Sequence, residues 1–298
     1  MIEIKDIKSV KIVPFTLMNS SISAVIGLIY GIIFAVIFGV TLGSALPGIT
    51  AGMIATIIIG SILAFPTVMF LVSVLQSFLV AFLYNQLVPR LGAIKLGFVD
   101  LKEIRTIPVV PFALMSASIG GLLTFLTMLI IGPLFAFGIQ SAAIAGAGAA
   151  NIPGLASLGS FGLIWMFIMI VGIPIVAFIA IFIAVAVGAI FYNLLAPRVG
   201  GVELNFGNAS GNLFEIESVP LVKFALIITL VLTLIQLILG VIDLIISIVT
   251  GSSAVGALIG LVIRVVTSLV VSFILYVIMA YLYNYLRPRI GGIKLEIE

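Results

Sequence analysis

Long apolar runs alternate along the chain with short joints that carry nearly all the charge. Six runs reach the roughly 20 apolar residues needed to cross a bilayer, near 13–41, 63–88, 110–139, 160–196, 221–249 and 256–286. After every second run the period changes. Ile293-Lys294-Leu295-Glu296-Ile297-Glu298 alternates apolar and polar, and Val202-Glu203-Leu204-Asn205-Phe206 does the same, the period-2 signature of a half-buried strand. Short turns link each such strand to the next segment, at Val99-Asp100 and at Gly207-Asn208-Ala209-Ser210-Gly211-Asn212.

The joints repeat. A closing cassette reads Tyr84-Asn85, then Pro89-Arg90, then Gly92-Ala93-Ile94. It returns as Tyr192-Asn193, Pro197-Arg198, Gly200-Gly201-Val202, and again as Tyr283-Asn284, Pro288-Arg289, Gly291-Gly292-Ile293. An opening motif precedes each pair of runs: Ile4, Asp6, Ile7, Ser9 and Val10; Leu101, Glu103, Ile104, Thr106 and Ile107; Leu213, Glu215, Ile216, Ser218 and Val219. Recurrence without gaps implies three copies of one unit, at 1–98, 99–206 and 207–298, forming one membrane domain. The expected fold is an α-helical integral membrane protein. It has six transmembrane helices in three hairpins and a small cytoplasmic β-sheet of pseudo-threefold symmetry. The N- and C-terminal segments should pair to close that sheet. The spacing of three between Ile4, Ile7 and Val10 suits a bulge or one helical turn rather than a plain strand.

Composition supports a lipid environment. The chain is 63% hydrophobic and 8% charged, against about 25% charged in soluble domains. Of 13 basic and 10 acidic residues, only Arg264 and Asp243 lie away from the joints. The positive-inside rule then places the joints and both termini in the cytoplasm of a multi-pass cell-membrane protein. The N-terminus is charged and alternating, without a signal-cleavage pattern. A net charge of +3 gives no reason to expect nucleic acid as a partner. Cys and His are both absent, which removes thiolate and imidazole chemistry. No phosphate loop, intramembrane acid pair or nucleophile–base pair is present, so neither cofactor nor catalysis is expected.

Candidate residues are few. Asp243 and Arg264 flank the shortest connection, Thr250-Gly251-Ser252-Ser253, at similar depth. They read as an internal ion pair pinning two helices, or as an ion or proton relay; a single pair makes a thin pathway and favours the first. Asn85, Asn193 and Asn284 read as helix terminators bonding the last carbonyls before the prolines, or as a ring at a pore mouth. Arg90, Arg198 and Arg289 should meet lipid phosphates or an acid of the opening motif, or a ligand phosphate. Lys223 stands where the other copies carry Pro14 and Pro111. Pro66 and Pro174 should start or kink their helices. The first outer connection, 49–65, has room for a short re-entrant helix.

The Tyr-Asn pair, the spacer and the Gly-Gly-Ile step leading into a charged strand resemble the end of an actinobacterial transmembrane family of unknown function. In that family a charged strand and a Pro or Lys element precede the first of two helices, as Val219-Pro220-Leu221-Val222-Lys223-Phe224 does here. The likeness covers about 25 residues per repeat and departs in the Pro-Arg step and in the threefold fusion. It implies a two-helix module assembling through a cytoplasmic strand, and no activity. The expected function is a non-enzymatic scaffold or accessory subunit whose partners are the lipid bilayer and other membrane subunits. A channel or small-solute transporter along the pseudo-threefold axis is the alternative.

Overall fold

The computed structural model describes residues 2–45, 50–150 and 162–298. Strand β1 (Ile2–Val10) leads into helices α1 (Ile12–Ala45) and α2 (Ala51–Leu91). Strands β2 (Ile94–Val99) and β3 (Glu103–Thr106) precede α3 (Val109–Ala150), α4 (Gly162–Phe167) and α5 (Ile173–Val199). Strands β4 (Val202–Glu203), β5 (Asn205–Ser210) and β6 (Leu213–Ser218) are followed by α6 (Leu221–Val249), α7 (Ala254–Ile290) and β7 (Lys294–Ile297). Among the described residues, six helical stretches are long and apolar enough to cross a membrane: Ile12–Gly39, Ala51–Leu91, Val109–Ala142, Ile164–Val199, Leu221–Val249 and Ala254–Ile290.

The strands form one antiparallel sheet in the order β4-β3-β2-β1-β7-β6-β5. Its two ends, β4 and β5, are separated only by Leu204, whose N–H bonds the Lys102 carbonyl at 2.7 Å. The sheet therefore curls until one bent stretch of chain serves both edges, which leaves no long edge open. The two termini pair, as the recurrence of opening and closing motifs predicts. Ile7 faces Ile297, and Asp6 and Glu298 exchange backbone hydrogen bonds of 2.7 and 3.0 Å. Ile7, Phe98, Ile216 and Ile297 are buried within the curl, with Phe206 edge-on to Phe98 at 6.0 Å.

The three-residue spacing of the opening motif resolves into bulges. The register shifts between Ile7 and Ser9 against β7, between Phe98↔Ile104 and Gly97↔Thr106, and between Phe206↔Ile216 and Asn205↔Ser218. Lys8, Arg105 and Glu217 are thus the extra residues, each directly after the isoleucine of its opening motif. A bulge inserts one residue and restores the inward face after an odd spacing. The β2–β3 turn has Asp100 and Leu101 both at φ 52° and closes with Lys102 N–H to Val99 carbonyl at 3.0 Å. The other turn is shorter than expected. β5 runs on through Gly207 to Ser210, so only Gly211 and Asn212 turn.

By packing, the chain divides into two compact units, Met1–Ile107 with Phe191–Glu298, and Pro108–Ile190. In the first, α1 and α2 lie close because of glycine. A Cβ on Gly27 would stand 2.8 Å from the Phe65 carbonyl oxygen, and one on Gly31 2.8 Å from that of Ser61. A Ser23–Ser73 hydroxyl bond of 3.0 Å joins the same two helices. Met18, Ile22 and Ile26 of α1 pack against Ala280, Leu282 and Tyr283 of α7 and against Ile216 and Val219. α6 meets α7 through Phe224 edge-on to Tyr276 at 6.1 Å and through Gly240 against Leu261. In the second unit, α3 packs Gly121 against Phe178 and Gly132 against Met169 and Ile170.

The prolines bend the expectations. Pro66 sits inside an unbroken α2 that starts at Ala51, so no separate re-entrant helix occupies 51–65. Pro174 follows a π-helical turn, Ile168–Gly172. Its ring crowds the i−4 carbonyl and its missing N–H leaves that carbonyl without a donor, and a widened turn accommodates both. The Gly/Ala-rich stretch 142–150 continues α3 as helix. The Pro47-Gly48 step and positions 151–161 of the second connection lie outside the described residues.

Candidate functional site

The residues that recur in sequence meet at the junction of helices and sheet. Each cassette tyrosine is buried and donates its hydroxyl to a backbone carbonyl of the opening motif. Tyr84 bonds Ile7 at 2.5 Å, Tyr192 bonds Ile104 at 2.5 Å, and Tyr283 bonds Ile216 at 2.7 Å. The same oxygens accept the N–H that begins the closing strand, from Ile94 (3.5 Å), Val202 (2.8 Å) and Ile293 (3.0 Å). Each tyrosine thus ties an opening motif to a closing cassette through one atom.

The asparagines complete this clasp. The Asn85 side-chain oxygen accepts the Val10 N–H and its amide donates to the Val10 carbonyl, both at 2.9 Å. Asn193 holds Ile107 in the same way, at 2.8 and 2.8 Å, and Asn284 holds Val219 at 2.8 and 2.8 Å. One side chain therefore satisfies both polar groups of a single backbone residue just before a helix begins. The terminator reading is corrected: the helices run on through Pro89, Pro197 and Pro288 to Leu91, Val199 and Ile290. They stop at Gly92, Gly200 and Gly291, with φ of 88°, 91° and 82°. A left-handed residue there costs glycine little and other residues more. At each Asn one amide N–H and the side-chain oxygen are engaged by backbone.

The acids of the opening motif also face inward along the joint. Glu103 accepts the Gly201 N–H at 2.7 Å and pairs with Arg105 at 3.0 Å. Glu215 accepts the Gly292 N–H at 3.0 Å and pairs with Arg287 at 2.9 Å and Lys294 at 3.7 Å. Burial alone would raise the Glu215 carboxyl, but the Gly292 N–H and the Arg287 and Lys294 cations outweigh it and hold it below its ordinary value.

Arg90, Arg198 and Arg289 do not meet those acids. Each is exposed and donates to the carbonyl four residues back: Gln86 at 3.2 Å, Leu194 at 2.9 Å and Tyr285 at 2.6 Å. Arg289 also lies over the Tyr285 ring, 3.9 Å from its centroid. Lys223, near the start of α6, pairs with Glu203 and links α6 to β4. Asp243 and Arg264 do pair, at 2.6 Å, but they are not internal: their side chains are 56% and 39% exposed. Among the described residues, no group of His, Cys, Asp and Glu could hold a metal ion.

Among the described residues, three buried hydroxyls, those of Thr16, Thr229 and Thr233, lack a hydrogen-bond partner and carry no sequence motif. Thr229 and Thr233, one turn apart on α6, are buried to 2% and 8% exposure, and neither hydroxyl has a hydrogen-bond partner. Thr67, Thr124 and Thr127 each bond the carbonyl four residues back at 2.8 Å. Only the i, i+4 spacing could have marked the pair, and it is common in apolar helices.

No family profile, curated protein or solved structure matches the chain. What the site can do is therefore argued from its own geometry. Hydrogen bonds from cassette to opening motif recur three times with the same donors and acceptors, and they hold backbone to backbone.

Proposed function

We propose that the protein is a multi-pass membrane protein made of three fused helical hairpins, joined by a cytoplasmic sheet of pseudo-threefold symmetry. Its role is that of a non-enzymatic scaffold or accessory subunit, with the sheet as docking surface and both termini cytoplasmic. One observation carries this reading: the recurring Tyr and Asn side chains are all spent on the chain's own backbone. A signature triplicated for catalysis or binding would leave its polar atoms free; this one closes a joint. The sheet-bearing end also carries nearly all of the charge, which matches the positive-inside bias of cytoplasmic surfaces.

Isolation from native membranes in mild detergent tests this role. A stoichiometric membrane partner should accompany the protein, and the purified chain reconstituted alone should pass no ions or small solutes. Solute flux by the chain alone would overturn the scaffold. A channel or transporter is the second reading, favoured by the unpartnered hydroxyls of Thr229 and Thr233. It would require that flux to fall when both are replaced by Val.

A further inference from the structure

The three post-proline arginines are among the cations that the clasp leaves over. Ion pairs among the described residues use Lys8, Arg105, Lys223, Arg264, Arg287 and Lys294, and none of the three cassette arginines. Each guanidinium spends one N–H on its own helix and keeps the others, on an exposed side chain. A helical side chain covers the turn before its own Cα. That places the three charges beside Gln86, Leu194 and Tyr285, one residue past the Tyr-Asn pairs, and these neighbours are themselves exposed. On α7, exposed Tyr281 and Tyr285 stack at 6.2 Å just beneath Arg289, the arrangement of an interfacial aromatic belt.

We propose that Arg90, Arg198 and Arg289 form three separate sites for the phosphodiester headgroups of anionic lipids in the cytoplasmic leaflet. This rests on the membrane reading above. The bond to the i−4 carbonyl fixes each guanidinium at the level where a helix leaves the hydrocarbon. The free N–H fork then matches the geometry of phosphate oxygens, which a lysine would meet only as a point charge. The helix C-terminus alone would repel an anion, so the arginine is required rather than auxiliary.

Native mass spectrometry of the detergent-purified full chain with added phosphatidylglycerol tests this. Three retained lipids are expected, with phosphatidylcholine retained far less. Arg90→Gln, Arg198→Gln and Arg289→Gln should each remove one lipid, and each lost charge-assisted bond weakens binding roughly tenfold or more. The Lys11→Gln/Lys95→Gln/Lys102→Gln variant should keep all three. Unchanged lipid counts in the arginine variants would overturn the proposal. So would displacement of the lipid by excess inorganic phosphate, which would mark sites for the free anion. Combining the three arginine substitutions should remove all three lipids; if that triple variant fails to fold, the single variants decide. Alkaline extraction separates the two readings. A chain that washes off membranes contradicts the membrane reading, whereas one that stays yet retains no lipid contradicts only this proposal.

Discussion

Asn284 shows how much one side chain carries. Its amide is the partner of both the N–H and the carbonyl of Val219. Asn284→Ala would orphan both groups at about 1–3 kcal/mol each, so thermal unfolding in detergent should fall by several degrees. Asn284→Asp restores only the acceptor and should recover part of the loss; an unshifted melting curve for the alanine variant would contradict the clasp. Glu215 gives the pH counterpart. Its folded-state carboxyl sits below its unfolded value, so it contributes stability that is full above the unfolded value and lost as pH falls through the folded one. Hydrogen exchange in Leu213–Ser218 should quicken on acidification below the ordinary carboxylate range, and Glu215→Gln should flatten that response. The recurrence of Tyr and Asn was legible in the sequence. Their partners were not, because a backbone N–H or carbonyl carries no residue signature, and Asn before Pro suggested a helix end instead.

Helices and strands follow their sequence patterns more openly. All six apolar helices follow from the length of their apolar runs and the pairing of the two terminal strands from the recurrence of the motifs, whereas the odd spacing of Ile4, Ile7 and Val10 left a bulge and a helical turn both open. The prolines misled. A proline near a helix end removes one bond, the one its N–H would make to the carbonyl four residues back, and each of these helices still runs two residues past it. The close approach of α1 and α2 yields a sharp test. Gly27 faces the Phe65 carbonyl and the Pro66 Cα, where a Cβ would stand at 2.8 and 2.9 Å. Gly27→Leu should cost about 1–3 kcal/mol or more through overpacking, whereas Gly60→Leu on α2, with no heavy atom within 4 Å of the added Cβ, should leave unfolding unchanged. Equal effects at both sites would contradict this packing.

At the scale of the whole molecule, distances along the helices locate the proposed bilayer. Lys223 to Asp243 and Arg264 to Asn284 are each 20 residues, about 30 Å of helix, the thickness of a hydrocarbon core. The outward-facing Asp243–Arg264 pair then falls at the far edge of the core and not at its middle. An exposed pair at such an edge contributes about 0–1 kcal/mol, so Asp243→Asn should insert normally and unfold within a degree or two of the parent; failure to insert would place the pair deep in lipid. The central claim is that the sheet and the Gly251–Ser252 turn lie on opposite sides of a membrane. The chain has no cysteine of its own, so single cysteines at Asp100, Ser210 and Ser252 can be labelled with a membrane-impermeant maleimide in oriented vesicles. Positions 100 and 210 should react only from the cytoplasmic side and 252 only from the other. Labelling of all three from one side, or of each from both, would contradict the account.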